Sequence, residues 1–430
     1  MSFSVFKDVL PSGLTVVTIE TPHLHSLMVA VYVRVGSRHE EVKNNGVSHL
    51  LEHLFFRGSK SYPDSVRMNA AVESVGGNLN GVTMRDSSYF YTPAHQDGLE
   101  VPLSVLGEMM TRPKLGHLET EKRIILEEML DEVDERGRDV DVDNLSKRVL
   151  YEGHPMSHKI AGTTDSVKKL TLRDVRKHFE RAYVGGNIVV AVSGPVTRKR
   201  VVKATKESFR YLPPGPRLGE VAPLELAPTG PRFKFVTLDE AQVEFRMSFP
   251  TVREDHPDSA GLGLLRRVLD DGLSSRLPHN IVEKRGLAYS VGAMIESFHD
   301  VGTFEIEGAS APENLAEVFQ EVLRTLGTLR AGKISREELR RAKTRFAMQL
   351  DFLQDSPGDL CGWFGAGELY RPVETFEQKK AEMERVTLAE LQRLAKKWLS
   401  AERMVTVAVG PRSAKKKSEA VILKAAKLLR

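Results

Sequence analysis

Gly46 to Gly58 reads GVSHLLEHLFFRG, and 214 positions further on, from Ala260 to Gly272, the chain reads AGLGLLRRVLDDG. Without a gap, that offset lays Leu50, Leu51, Leu54 and Gly58 over Leu264, Leu265, Val268 and Gly272. Apolar residues three and four apart in both copies are the mark of a helix with one buried stripe. Upstream, the same offset sets Val29, Val31 and Val33 over Val243, Phe245 and Met247, the alternation of a strand with one face inward. A strand that leads through a polar loop into an amphipathic helix therefore occurs twice, and the chain reads as two copies of one unit.

Each copy continues in the same way, with helix, hairpin, long helices and a late strand. The hairpins are NLNGVTMRDSSYFYT from Asn78 and AYSVGAMIESFHDVGTFEIEG from Ala288, and the late strands run from Asn187 to Val192 and from Met404 to Val409. Periodicity predicts helices over Leu99 to Met110, Glu119 to Glu135, Leu172 to Ala182, Glu313 to Leu329 and Arg336 to Phe352. Between the copies, YLPPGPRLGEVAPLELAPTGP, from Tyr211 to Pro231, holds six prolines, too many fixed angles and missing donors for a helix or a central strand. The expected organisation is a repeat over 1–212, a proline-rich linker over 213–231 and a homologous repeat over 232–430. The expected fold class is α+β, each repeat a mainly antiparallel sheet with helices packed on one face.

At 430 residues the chain is long enough for two or more cores, and 41% hydrophobic with 28% charged residues is ordinary for a globular protein. Sixty-two basic against 58 acidic side chains leave +4, scattered apart from Lys415, Lys416 and Lys417, which gives no case for nucleic acid. The amino terminus, MSFSVFKDVLPSGLTVV, lacks the basic and apolar regions of an export signal, and no run of eighteen apolar residues occurs; the expectation is a cytoplasmic protein without a membrane span. A single cysteine, Cys361, excludes an internal disulfide and all-cysteine metal cages, so a metal would have to be held by histidine and carboxylate.

On the helix in GVSHLLEHLFFRG, His49 and His53 are four apart and project from one face, so that two imidazoles can converge on one ion. Glu52 lies beside that face, where a carboxylate can take a proton from water on the metal. Catalytic zinc takes three protein ligands, and the helical segment ETEKRIILEEMLDEVDE is the best supplier of the third. There Glu121 and Glu128, seven apart, share a face that Glu127 does not. Taken singly, a histidine on an apolar helix is more often an ordinary core or surface residue, and the acidic helix a solvated face paired with Lys122 and Arg123. The five-residue pattern followed by the acidic helix reverses those odds.

HLLEH followed, 75 positions after His53, by the glutamate of ILEEM resembles the inverted-motif zinc metallopeptidases of the pitrilysin, insulysin and mitochondrial processing peptidase family. The likeness covers nearly the whole chain: GGNLNGVTMRDSSYFY is similar to that family's substrate-binding hairpin, HPMSHKIAGTTDSVKKLTLRDVRKHFERAYVGGNIVVAVSG to its first-half closing segment, and GLSSRLPHNIVEKRGLAYSV to its second-half substrate segment. The resemblance implies a Zn2+ cofactor held by His49, His53 and Glu128, with Glu52 as general base and Glu121 supporting the site. It also implies two homologous repeats enclosing a substrate chamber, in which a peptide or unfolded polypeptide pairs with the edge strand at Asn80, Gly81 and Val82.

Under the offset of 214, Gly263, Arg266 and Arg267 stand in the places of His49, Glu52 and His53, so the second repeat cannot hold a metal in the equivalent way and is expected to be the non-catalytic wall. Members of the family carry there an arginine and a tyrosine seven apart that contact the substrate. Tyr289 fits the tyrosine, but the place seven earlier is Val282, while Arg285 is only four before it. Since two-subunit branches divide the zinc motif and the arginine between similar chains, the resemblance implies a zinc-bearing endopeptidase subunit that works with a homologous partner, in a hetero- or homodimer. The competing reading is a non-catalytic structural or assembly subunit of the same fold, which an intact HLLEH and ILEEM disfavour. A weaker one is a membrane-surface role for the tail AKKKSEAVILKAAKLLR, for which a solvated terminal helix is the plainer account.

Overall fold

A computed structural model describes residues 3–219, 221 and 230–429; part of the proline-rich segment, residues 220 and 222–229, lies outside the described residues. The chain forms two compact units.

The first unit comprises 1–129, 158–221 and 350–373. Its sheet holds β1 (Ser4–Val9), β2 (Thr15–Glu20), β3 (Ser26–Val33), β4 (Asn80–Thr83), β5 (Ser88–His95) and β6 (Ile188–Gly194), in the order β1-β2-β6-β3-β5-β4. Only β2 and β6 run parallel. Strand β6, IVVAVSG, is central and buried along its whole length, which is why it reads as a continuous apolar run, whereas β5 alternates. Against one face pack α1 (Val47–Phe55), α2 (Ser65–Glu73), α3 (Glu100–Thr111) and α4 (Leu118–Glu128), with Val29, Val31 and Val33 of β3 meeting Leu50, Leu51 and Leu54 in one core. Each of those leucines is fully buried, so truncating one to alanine would cost about 2–5 kcal/mol. The opposite face is partly covered by 357–366, contributed from far along the chain: Cys361 Sγ reaches Met28 O at 3.6 Å, and a Cβ on Gly365 would stand 2.5 Å from that of Ala191.

The second unit comprises 130–157, 222–349 and 374–430. Its sheet holds β7 (Arg232–Thr237), β8 (Val243–Thr251), β9 (Ala288–Ser297), β10 (Gly302–Ser310) and β11 (Val405–Gly410), in the order β7-β11-β8-β10-β9. Offset by 214 positions, this is the order β2-β6-β3-β5-β4, so the repeat seen in sequence is also a repeat of topology. Here too an outside segment covers a face: α5 (Val142–Leu150) sets Val142 and Leu145 against Val407 and Val409. It is held by charge as well. Lys147, 1% exposed, binds Glu305 at 2.7 Å and also Glu296, and Arg246 joins Glu305, Glu307 and Asp143. A buried ion is tolerable only with several partners, and these have them.

Two details differ from the periodicity. The helix expected to continue to Glu135 ends at Glu128; a 3₁₀ turn follows, and then the Asp134 carboxylate accepts the N–H groups of Arg136 and Arg138 and stops the helical ladder. The basic tail forms helices Arg412–Leu423 and Ala425–Leu428, whose Ala414, Val421, Ile422 and Ala425 are buried in the second unit's own core. No helix among the described residues is long and apolar enough to cross a membrane.

Candidate metal centre

Helix α1 is fixed at its start by backbone and by a buried carboxylate. Gly46 has φ +96°, and a Cβ there would stand 2.6 Å from Ala161 O, so only glycine suits both the angle and the space. Six residues earlier in the chain, Glu40 accepts the N–H of Gly46 at 2.7 Å, that of Ser48 at 2.8 Å and the Asn45 amide at 2.8 Å. Those are donors of the first helical turn that the helix itself cannot satisfy, and a negative charge there opposes the helix dipole. Burial pushes the Glu40 carboxyl up, against these hydrogen bonds, which favour its charged form.

From this helix His49 and His53 project together, their rings 4.7 Å apart at 75°. Glu128, the last residue of α4, brings its Oε2 to 4.0 Å from His49 Nε2 and 3.6 Å from His53 Nε2. Ligand atoms on a tetrahedral zinc stand about 3.3 Å apart, so the three donors are near the spacing that an ion would impose. Among the described residues they form a group able to hold a metal, and Glu127, exposed on another face of α4, is not part of it. Burial, with His53 adding to it, lowers His49 to about 4, so its ring is neutral at neutral pH, the form that ligates.

Glu121 takes a different place. Only 2% exposed, it sets Oε2 3.1 Å from His53 Nδ1 while Oε1 accepts from Arg57 Nε. A carboxylate at Nδ1 holds the proton there and leaves the Nε2 lone pair free on the side of Glu128. Glu52, on the neighbouring face of α1, accepts a hydrogen bond at Oε2 from the Thr83 hydroxyl at the end of β4. Burial pushes the Glu52 carboxyl up and the Glu128 charge adds to that, while Thr83 and His53 oppose it. This combination describes a carboxylate able to hold a proton and to release it.

Asn80, Gly81 and Val82 lie on β4, the edge of the first sheet, paired on one side to Tyr91, Phe90 and Tyr89. A Cβ on Gly81 would meet the Phe56 ring at 2.9 Å, so close packing under the edge strand excludes larger residues. In the second unit Tyr289, near the start of β9, is 88% exposed. Val282 falls in the wide helical turn Pro278–Glu283, and Arg285 is engaged by Glu317 at 2.8 Å and Glu321 at 3.4 Å. Glu40, Thr83 and Arg57 were not singled out from sequence. The first two lie outside the helix they support, and no spacing rule reaches them; Arg57, four residues after His53, could have been found as the same-face partner of a buried acid.

Comparison with known proteins places these features in context. A family model described as insulinase (peptidase family M16) matches residues 15–164, and one described as peptidase M16 inactive domain matches residues 169–346. The chain is 30% identical over 426 residues to an uncharacterized zinc protease of Mycobacterium tuberculosis (strain ATCC 25618 / H37Rv), covering 95% of this chain and 94% of that protein. It is 28% identical over 390 residues to the mitochondrial-processing peptidase subunit beta of Saccharomyces cerevisiae, covering 86% and 84%. In fold it is similar to a protease from Helicobacter pylori, with a TM-score of 0.85 at 22% identity over 95% of this chain and 100% of that one. It is equally similar to a peptidase M16 inactive domain from Pseudomonas fluorescens, with a TM-score of 0.85 at 23% identity over 96% and 99%.

Proposed function

The chain belongs to the insulinase family of peptidases, family M16, and from that premise we propose that it is a zinc-dependent endopeptidase of peptides or unfolded segments, the zinc-bearing subunit of a two-subunit assembly. The observation that carries this reading is the convergence of His49 Nε2, His53 Nε2 and Glu128 Oε2, with Glu52 beside them. Two imidazoles and one carboxylate are the donor set of a catalytic rather than a structural zinc site, because they leave a position for water. Zinc supplies Lewis acidity, making water acidic enough to lose a proton near neutral pH and polarising the substrate carbonyl.

The side chains do the rest. Thr83 occupies Oε2 of Glu52, so Oε1 is the atom that takes the proton from the attacking water and passes it to the leaving amine. Glu121 keeps His53 in the ligating tautomer, and Arg57 holds the other oxygen of Glu121 in place. A peptide adding to the open edge of β4 at Asn80, Gly81 and Val82 would be held by main-chain bonds in an extended form; on the family resemblance Tyr289, exposed in its own unit, is also a substrate-contacting residue. The homologous partner subunit is supported by Val282 in the arginine position and by the likeness to a processing-peptidase beta subunit.

The test is to purify the chain without chelator, measure its zinc and follow hydrolysis of an unstructured peptide before and after removal and return of the metal. About one zinc per chain and metal-dependent cleavage, alone or with a homologous subunit, are expected. Absence of zinc from the fresh protein would sink the reading.

A further inference from the structure

We propose that the second repeat carries an anion-binding pocket at the place where the first assembles its metal ligands, and that this pocket takes a small molecule bearing an oxyanion. The offset of 214 that matches the two helices also carries β4 onto the end of β9 and β5 onto β10. Thr83 thereby falls on Ser297, Glu52 on Arg266, His53 on Arg267 and His49 on Gly263. In the first repeat the Thr83 hydroxyl donates to the Glu52 carboxylate. In the second, Ser297 and Arg266 line one open pocket of about 250 Å³, just below the smallest usual drug-sized sites and enough for a small anion or a compact molecule that carries one.

The chemistry of the wall has been inverted. Among the described residues three cations, Arg266, Arg267 and Lys379, line it and no carboxylate does. Two of the three are already engaged: Arg267 binds Asp271 at 3.1 Å, and Lys379 is paired with Glu382 and with Glu374 at 3.6 Å. Arg266 is different. Its Nη1 donates to the Asp270 carbonyl at 2.7 Å, but among the described residues no carboxylate forms an ion pair with it. Burial and the neighbouring Arg267 charge pull Arg266 below its ordinary pKa, the Asp271 and Asp270 carboxylates oppose them only in part, and a bound anion would relieve the remainder. Glycine in place of His49 keeps the floor open, since a Cβ on Gly263 would meet nothing nearer than Met383 Cε at 3.4 Å. A guanidinium with further N–H groups and a hydroxyl in the wall of one pocket are donors available to an acceptor, and a planar guanidinium suits phosphate or carboxylate. Apolar neighbours such as Leu262 and Ile295 leave room for a compact organic body.

The test is calorimetric titration of the full chain, in low-salt buffer containing neither anion, with inorganic phosphate and separately with succinate. Binding at roughly millimolar concentration or tighter of one or both is expected, and which of them binds distinguishes the phosphate from the carboxylate source. Arg266→Gln should weaken it roughly tenfold to a hundredfold, the loss of a charge-assisted pair, and Arg340→Gln, an exposed arginine paired with Glu337, should not. Ser297→Asp sets a carboxylate in the wall and should also weaken binding, which keeps the test decisive if Arg266→Gln fails to fold. Zinc content should be the same in all. No heat from either anion with folded wild-type protein, or binding unchanged in Ser297→Asp or in a folded Arg266→Gln, overturns the proposal.

Discussion

Glu121 Oε2 stands 3.1 Å from His53 Nδ1, on the side of the ring away from Glu128, and its other oxygen is engaged by Arg57. One glutamate of α4 thus orients the histidine while the other, seven residues on, faces the same ring as a donor. The two should be separable by mutation. Glu128→Gln should weaken zinc binding most, Glu121→Gln by roughly tenfold to a hundredfold through loss of the orienting carboxylate, and Glu127→Gln hardly at all. Competition titration with a zinc chelator measures all three; equal losses for Glu127 and Glu128 would mean that the facing of α4 is wrong.

Glu52→Gln should leave zinc in place and remove peptide hydrolysis by several orders of magnitude. The amide keeps the size and can still accept from Thr83, but it cannot take a proton. Metal content and turnover are measured on the same preparation. An active Glu52→Gln variant would assign the base elsewhere.

Glu40→Gln should destabilise the first unit by about 1–3 kcal/mol, because a buried carboxylate accepting two backbone N–H groups and an amide is replaced by a group with one acceptor fewer. Since the same N–H groups open α1, zinc affinity should fall with stability. Denaturant unfolding of the metal-free protein tests the first, and a stability equal to wild type would show that the cap is dispensable.

What sequence shows of this site is what one helix contains. His49, Glu52 and His53 are legible because four residues make one turn, and Glu121 with Glu128 because seven make two. Glu40 and Thr83 are not, since each meets α1 only after the chain has folded back on it. The same limit hides which sheet a helix covers: the apolar side of α5 can be read from its period, but not that it lies over Val407 and Val409. The expectation for α4 overruns its end because Met129, Leu130 and Val133 carry the apolar helical period on, although the backbone already tightens into a 3₁₀ turn at Met129 and turns aside at Asp134.

Asp258, at the start of helix Ser259–Leu269, receives Arg393 at 2.7 Å, Trp398 Nε1 at 2.9 Å and Lys397 at 3.0 Å, joining two helices of the second unit. Burial alone would push its carboxyl up, but these three hydrogen bonds outweigh burial and hold it at about 2, below the ordinary 3.8. The unfolded chain therefore takes up this proton first, so the stabilisation is full above about pH 4 and is lost as pH falls towards 2. Asp258→Asn should cost about 1–3 kcal/mol at neutral pH and should converge on wild type near pH 2. A difference that persists unchanged at that pH would show that the charge is not its source.

Val282 occupies the position at which the family resemblance expects an arginine. The arginine nearest in sequence, Arg285, is engaged by Glu317 and Glu321 within its own unit, which argues against its serving as a substitute. The isolated chain should accordingly bind zinc yet hydrolyse peptides feebly, since loss of one donor to the developing oxyanion typically costs about a hundredfold to a thousandfold. Supplying the donor should restore the rate, either from a homologous subunit that carries the arginine and tyrosine or in cis as Val282→Arg. Val282 is only partly buried and lies next to exposed Glu283 and Lys284, so the longer side chain has solvent to enter and should be tolerated by the fold. One unstructured peptide, assayed with the chain alone, with the partner and with the variant, decides the matter at fixed zinc. Strong turnover by the chain alone, unchanged by either addition, would falsify the two-subunit reading while leaving the zinc site intact.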